Sequence, residues 1–235
     1  FIYCFFGLAI LYGLFFLLRT VKPDFVVQDV DADFMSALHA GLFTITFLTL
    51  GYSLSNVSDT MDNFQHNVVA EANDLKTLDV LLTFYDAPES LEIRQDLRTY
   101  AKSITEDEWP LLLTGKGSDK TLALQRKMRG KLQKFDPKTS KETIIYSQML
   151  ETVAKIVYHR SSRILDSETK LAPQFLITNH IGYLGVLILS ALMLTRFTWF
   201  RLTALTVQVI AVSFIFASTI ALDDPLKGTE KISAE

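Results

Sequence analysis

Long uncharged apolar runs alternate with charged segments along this chain. Four runs contain no Asp, Glu, Lys or Arg: residues 1–18, 34–58, 171–195 and 202–222. A helix rises about 1.5 Å per residue, so about 20 apolar residues cross the hydrocarbon core of a bilayer. Lipid cannot pair exposed backbone polar groups, and a helix is therefore the expected structure of each run. The pattern predicts four transmembrane helices.

The predicted spans come in pairs on either side of a charged segment. Residues 1–58 predict one transmembrane hairpin, and residues 171–222 predict a second one, because the connector 196–201 is too short for anything but a tight turn. Residues 59–170 predict a water-soluble helical domain, and residues 223–235 form a C-terminal tail. The predicted fold class is an all-α membrane protein, with four transmembrane helices in two hairpins that flank a soluble helical bundle.

Membrane orientation stays open at this stage. The first run is expected to be a membrane span and not a signal peptide, since no small-residue cleavage pattern follows it. Arg19, Lys22, Arg196 and Arg201 lie in the two short connectors, which favours cytoplasmic connectors and a soluble domain on the other side. Arg160, Arg163 and Lys170 before the third span and Lys227 and Lys231 after the fourth span weaken that bias.

Periodicity and prolines place the helices of the soluble domain. Apolar positions in steps of three and four continue past Ser58 to Tyr85, which predicts one long helix through the second span and beyond. Pro88 is expected to start the next helix. That helix should end near Trp109 and Pro110, because the residue before a proline is pushed out of the helical region.

Two further helices follow from capping patterns. Asp119 is the expected N-cap of a helix that runs to Phe135, after a glycine-containing turn. Thr139 and Glu142 have the spacing of a capping box, which predicts the start of a long helix.

The composition of the chain and its motifs argue against several classes of function. The chain has 235 residues, 49% of them hydrophobic, a mean hydropathy of +0.24 and a net charge of -3. This charge gives no case for nucleic-acid binding. Cys4 is the single cysteine and cannot build a disulfide framework or a cysteine metal site. The sequence contains no glycine-rich phosphate loop, nucleophile elbow or paired-histidine motif, so we predict no enzyme activity, cofactor or metal.

Two clusters of charge have competing interpretations. Asp59, Asp62 and His66 share a helix face that could present metal ligands. The favoured interpretation is that this face is simply exposed to solvent. The helix from Lys120 to Lys134 is basic and could attract anions or lipid headgroups, yet a solvated face is again the default.

The second span differs from the other three because it carries many polar residues. Thr46, Thr49 and Ser53 fall on one helix face. A hydroxyl stripe can line a water-filled path, or it can bond a neighbouring helix, and the packing role is favoured when the stripe is taken alone.

The large apolar residues of the same span are the candidates for a gate. Phe43, Phe47 and Leu50 could form a constriction that closes by dewetting, or they could face lipid.

A set of motif residues resembles the bestrophin-like family of bacterial membrane proteins. The set is Glu71, Arg98, Tyr100, Glu106, Glu108, Trp109 and Pro110, followed after the fourth span by Asp223, Asp224 and Pro225. The chain departs from true bestrophins at Leu226, where they have phenylalanine and a run of acids, so calcium control is not expected.

The resemblance implies a homo-oligomer, a pentamer by analogy, in a bacterial inner membrane. It implies conduction of inorganic anions through a path lined by the second span, and it favours a cytoplasmic domain. The alternative is a non-conducting membrane scaffold or sensor whose helical domain binds a partner. Neither function involves nucleic acid.

Overall fold

A computed structural model describes residues 2–22, 29–85, 87–224 and 226. The first connector at 23–28, Pro225 and the tail residues 227–235 lie outside the described residues, and so do predictions that fall on them. The described helices are α1 (Ile2–Val21), α2 (Asp29–Tyr85), α3 (Pro88–Ser103), a π-helix (Ile104–Glu108), α4 (Trp109–Leu112), α5 (Asp119–Leu132), α6 (Ser140–Glu168), α7 (Pro173–Met193) and α8 (Trp199–Leu222). The all-helical part of the predicted fold is confirmed.

Three helical segments in the described part of the chain each contain a stretch that is long and apolar enough to cross a membrane. They are Asp31–Tyr85, Ser140–Met193 and Trp199–Leu222. The second includes α6 and α7, which are separate helices with a break at residues 169–172. Helix α1 adds a shorter apolar stretch, Phe5–Val21. The chain is therefore a multi-pass membrane protein, while the arrangement of four spans in two hairpins stays a prediction.

The chain divides into two compact units. Unit 1 comprises Phe1–Ser58 and Lys170–Asp223, and unit 2 comprises Asp59–Thr169 and Asp224–Glu235. Helix α2 is continuous from Asp29 to Tyr85, as predicted, and contributes to both units.

Unit 1 is held by apolar packing and by a few polar contacts at membrane depth. Its main core cluster consists of Leu11, Leu187, Ala191, Leu194, Leu205 and Val209. His39 Nε2 and Ser190 Oγ lie 2.9 Å apart. The Asn179 amide donates to Ser53 Oγ at 2.9 Å. Such contacts satisfy polar side chains where no water is present.

Gly182 lies where α7 packs closely against α2 within unit 1. A Cβ atom at this position would lie 2.6 Å from Thr46 Oγ1. Small residues at helix interfaces let membrane helices approach closely. A glycine is therefore required by the packing here.

Unit 2 is a helical bundle with one main core. Its fully or largely buried apolar residues are Leu78, Leu82, Ile93, Leu97, Tyr100, Ile104, Met128, Leu132, Met149, Val153 and Ile156. They come from α2, α3, the π-helix, α5 and α6 in the helical steps that the sequence pattern predicts.

The predicted helix end before Pro110 is wrong. Helix α3 leads into the π-helix, where the Trp109 N–H donates to the Ile104 carbonyl, and α4 follows without a break. Pro110 is the second residue of α4, and Trp109 before it keeps a helical backbone conformation, with φ -54° and ψ -44°.

One predicted cap is also wrong and one is confirmed. Ser118 caps α5 in place of Asp119, since the Ser118 hydroxyl accepts from the Thr121 N–H at 3.3 Å. Thr139 caps α6 and accepts from the Glu142 N–H at 3.2 Å.

Candidate functional site

Four charged side chains meet in the interior of unit 2. Glu71 on α2, Glu108 at the end of the π-helix, and Arg160 and Arg163 on α6 are 2%, 0%, 6% and 1% exposed. We call these four residues the ion cluster. Charged residues are almost never fully buried without partners, and this cluster supplies them from three different elements.

Arg163 is the central link of the ion cluster. Its Nε donates to Glu71 Oε2 at 2.8 Å, and its Nη2 donates to Glu108 Oε1 at 2.8 Å. Arg160 donates to the same Glu108 carboxylate, with Nε 3.1 Å from Oε2 and a second bond from Nη2. Two carboxylates and two guanidinium groups thus bind α2, the π-helix and α6 together.

The local sequence explains how these groups reach the interior. Arg160 and Arg163 are spaced by three on α6 and continue its buried apolar stripe, which includes Val153 and Ile156. The π-helix has a wider turn than an α-helix, and it buries Glu108 while Glu106 stays exposed.

Tyr100 and Gln125 extend the ion cluster. The Tyr100 hydroxyl donates to Glu71 Oε1 at 2.8 Å, and Gln125 Nε2 lies 3.4 Å from the same hydroxyl. Burial, together with the charge and hydrogen bond of Glu71, raises the pKa of Tyr100 well above its ordinary value. The phenol therefore remains protonated and continues to donate.

The charge state of Arg163 is fixed by its partners. Burial by itself lowers the pKa of the Arg163 guanidinium, but Glu71 and Glu108 more than offset burial, and the pKa lies above its ordinary value. With two negative and two positive groups, the ion cluster has no net charge.

Glu108 also controls the loop before α5. Its Oε2 accepts from the Ser118 N–H at 3.0 Å, and Arg160 Nη2 donates to the Ser118 carbonyl at 3.2 Å. Because Ser118 is the N-cap of α5, the ion cluster positions the start of that helix.

A second polar group lies between α2 and α6. Asn67 donates to Asp166 Oδ2 at 2.8 Å, and its Oδ1 is 3.0 Å from His159 Nδ1. His159 Nε2 is 3.6 Å from Asp74 Oδ2. Among the described residues, no group of three or more His, Cys, Asp or Glu side chains is placed to hold a metal ion.

The basic face of α5 is partly neutralised. Lys127 and Lys131 both form ion pairs with Asp96 at 2.8 Å. Burial acts to raise the pKa of Asp96, but the hydrogen bonds from the two lysines outweigh it and the pKa lies below its ordinary value. Lys120 pairs with Asp107 at 2.8 Å. These pairs leave less free positive charge than the sequence suggests.

Three of the six residues of the second span that are candidates for lining or gating a path are buried within unit 1. Thr46, Leu50 and Ser53 are 2%, 0% and 0% exposed. Leu50 packs against Val212 and Phe216 on α8. Ser53 accepts a hydrogen bond from Asn179 on α7, whereas Thr46 Oγ1 is buried without a hydrogen-bond partner among the described residues.

The other three candidates of the second span are less buried. Phe43 and Thr49 are half-buried, whereas the Phe47 side chain is 41% exposed. Phe43 and Phe47 stack with ring centroids 5.9 Å apart. The assignment of a conducting path to these residues stays a prediction.

The motif residues divide into a buried and an exposed set. Glu71, Tyr100 and Glu108 belong to the ion cluster or bind it directly, and Trp109 lies 5.8 Å below the Arg163 guanidinium. Arg98, Glu106 and Pro110 are exposed.

The two acids after the fourth span have separate roles. Asp223 Oδ1 accepts from the Leu171 N–H at 2.7 Å in unit 1. Asp224 Oδ1 accepts from the Leu226 N–H at 3.2 Å, and Leu226 packs against Phe64 and Leu112 in unit 2. Pro225 lies outside the described residues.

Sequence reasoning missed the two arginines of the ion cluster. The sequence identifies Arg160 and Arg163 only as basic charge near the third span, although their spacing continues the apolar stripe of α6. The sequence contains one sign of their burial: both arginines occupy positions where the helical period of α6 predicts an apolar residue.

Comparison with known proteins confirms the resemblance inferred from the motif residues. A family model described as the Bestrophin-like domain matches residues 8–235. Neither a curated protein nor a solved structure matches the chain.

Proposed function

The chain belongs to the bestrophin-like family, and from this premise we propose that it forms an oligomeric channel for inorganic anions. The family match carries the proposal, since the family is related to bestrophin channels and not to enzymes. In the proposed assembly, four spans form two hairpins in the bacterial inner membrane. Subunits associate as a pentamer, and α2 lines the path.

The exposed surface of α2 in unit 1 supports a role at the centre of an oligomer. Its large side chains on one side are Phe34, Leu38, Ile45, Leu48 and Tyr52, between 45% and 67% exposed, whereas Phe47, 41% exposed, lies at the edge of the buried side, about 60° in helical phase from Leu50. We call the first five residues the free face of α2. Buried Thr46, Leu50 and Ser53 hold the opposite face against α7 and α8, which leaves the free face for lipid, other subunits or a path.

Phe47 is the preferred candidate for an apolar constriction. It is the most exposed of the six second-span candidates, and its ring is braced by the stacked ring of Phe43. A ring of such side chains around an axis excludes water and gates by dewetting. Thr46 and Ser53 then act as packing residues that orient the helix.

Halide flux into liposomes tests the proposal. The purified protein should carry chloride and iodide across the membrane, and Phe47→Ala should increase the flux several-fold because a smaller side chain admits water. Phe214→Ala is the matched control, since Phe214 on α8 is 63% exposed and is expected to face lipid.

The alternative function would give a different result. A scaffold or sensor would show no flux with either protein, and its helical domain would bind a partner regardless of the side chain at position 47. Absence of flux together with a monomeric state in mild detergent would contradict the channel.

A further inference from the structure

The polar group between α2 and α6 has a hydrogen-bond direction that its own chemistry determines. The Asp166 carboxylate only accepts, so the Asn67 amide nitrogen donates to Asp166 Oδ2 at 2.8 Å. The amide oxygen of Asn67 then faces His159 Nδ1, which lies 3.0 Å away. Because this oxygen only accepts, His159 Nδ1 carries a proton and donates to it.

The second ring nitrogen of His159 faces a carboxylate oxygen. A neutral imidazole has one N–H group, so Nε2 carries a lone pair when Nδ1 is protonated. Nε2 lies 3.6 Å from Asp74 Oδ2, and this oxygen is buried without a hydrogen-bond partner among the described residues. Two acceptors that face each other inside a protein are unfavourable. A proton on Nε2 turns the contact into an ion pair that a charge-assisted hydrogen bond can close.

Charged groups from both helices surround the His159 ring. Those that face the ring or its partners in the described part of the chain are Asp74 and His66 on α2, and Lys155, Tyr158 and Asp166 on α6. Two of them are carboxylates that belong to the same hydrogen-bonded chain as the ring.

The positive groups nearby are offset by other partners or by solvent. Lys155 pairs with Glu151 at 2.8 Å, and Arg163, one turn further along α6, is neutralised within the ion cluster. The His66 ring centroid is 6.3 Å from that of His159, but His66 is exposed, so water screens its charge. The surroundings of Nε2 are therefore negative on balance, which favours the protonated ring.

The His159–Asp74 contact is partly open to solvent. The side chains of His159 and Asp74 are 15% and 19% exposed. Protons therefore reach the imidazole from bulk solution. The surrounding protein also excludes enough water to make an ion pair stronger here than on an open surface.

This contact lies one helical turn from a permanent link between the same two helices. Glu71 follows Asn67 by four residues on α2, and Arg163 follows His159 by four residues on α6. Arg163 binds Glu71 and does not lose its proton, whereas a histidine changes charge between about pH 5 and 8. Helices α2 and α6 are thus joined by one link that keeps its charge in this range and by one link that does not.

We propose that His159 and Asp74 form a proton-binding site, in which protonation of Nε2 closes an ion pair and strengthens the contact of α2 with α6. The protonated ring gains a partner that it lacks in the unfolded chain. Its stabilisation is therefore present at acidic pH and is lost as the pH rises through the histidine range. The inference does not rest on channel activity, because all four side chains of the polar group belong to unit 2.

Imidazole nitrogen resonances test the proton positions directly. The full chain, labelled with ¹⁵N-histidine, is reconstituted in lipid, and His159→Gln identifies the signals of His159 among the four histidines. At about pH 8 we expect a protonated Nδ1 and an unprotonated Nε2 on His159, and at about pH 5 we expect both to be protonated. A neutral ring that carries its proton on Nε2 would overturn the proposal.

Hydrogen exchange by mass spectrometry tests the link to stability in the full chain. Rates are corrected for the intrinsic effect of pH and compared for peptides that cover residues 64–76 of α2 and 152–166 of α6. At about pH 5.5, Asp74→Asn should open these peptides about tenfold more often than the unsubstituted protein. At about pH 8 it should be protected at least as well, because the asparagine amide donates to the bare Nε2.

Asp62→Asn is the matched control, since Asp62 is an exposed aspartate of the same helix. It should leave exchange unchanged at both pH values. An Asp74→Asn effect of the same size at both pH values would exclude a proton-dependent contact. Equal effects of the Asp62 and Asp74 variants would show a general charge effect and would also overturn the proposal.

Discussion

Replacing Arg163 with methionine is expected to destabilise unit 2 by about 3–5 kcal/mol, because the change removes one partner of a buried ion pair and leaves the others buried. Arg163 donates to both Glu71 and Glu108, which are 2% and 0% exposed. Methionine fills a similar volume, so the loss reflects charge and hydrogen bonding more than a cavity.

Hydrogen exchange measured on the full chain by mass spectrometry gives the free energy of local opening for peptides of α3, α5 and α6. Arg98→Met is the matched control, since Arg98 is an exposed arginine of α3. Equal exchange in the two variants would show that the ion cluster contributes nothing to the stability of unit 2.

Replacing Glu108 with glutamine should have the second largest effect, about 3 kcal/mol or more. The amide keeps the shape of the side chain but removes the negative charge shared by Arg160 and Arg163. One carboxylate, Glu71, then remains for two buried guanidinium groups. The effect should be greatest where Glu108 binds the loop before α5.

Exchange at residues 113–118 and in the first turn of α5 locates this effect, because the Ser118 N–H donates to Glu108. We expect faster exchange there than in the far end of the bundle around Met149. Glu106→Gln, two residues earlier and exposed, should leave the same peptides unchanged. Similar protection in both variants would contradict the positioning role of Glu108.

Helix positions followed from the sequence where a periodic pattern or a proline determines them. The continuous α2 was predictable because apolar steps of three and four continue past Ser58 without a helix breaker. The capping box at Thr139 was predictable for the same local reason. The helical segment that continues through Pro110 was not predictable. A single π-turn leaves no periodic pattern in the sequence, and it places the proline where the helix accommodates it.

The composition of the site was only half predictable. Glu71 and Glu108 stood out as motif residues, but their role requires the partners Arg160 and Arg163, which are more than 50 residues further along the chain than Glu108. A charged side chain on a helix usually faces water, and only tertiary structure reverses that expectation. Pairing between distant helices leaves no local signal.

The second span shows a similar limit. The sequence places Thr46, Thr49 and Ser53 on one face but does not say which neighbour that face meets. The intramolecular contacts of Thr46 and Ser53 with α7 decide the direction, and the free face of α2 is then defined by exclusion.

Current through single-cysteine variants tests the channel and its path together. Cys4 is the one native cysteine, so a Cys4→Ser background allows Phe47→Cys and Phe214→Cys to be compared in planar bilayers. A negatively charged methanethiosulfonate reagent is added while the anion current is recorded. If α2 lines the path, the reagent changes the current of Phe47→Cys several-fold and leaves that of Phe214→Cys unchanged. No anion current, or the same response in both variants, would contradict an anion channel lined by α2.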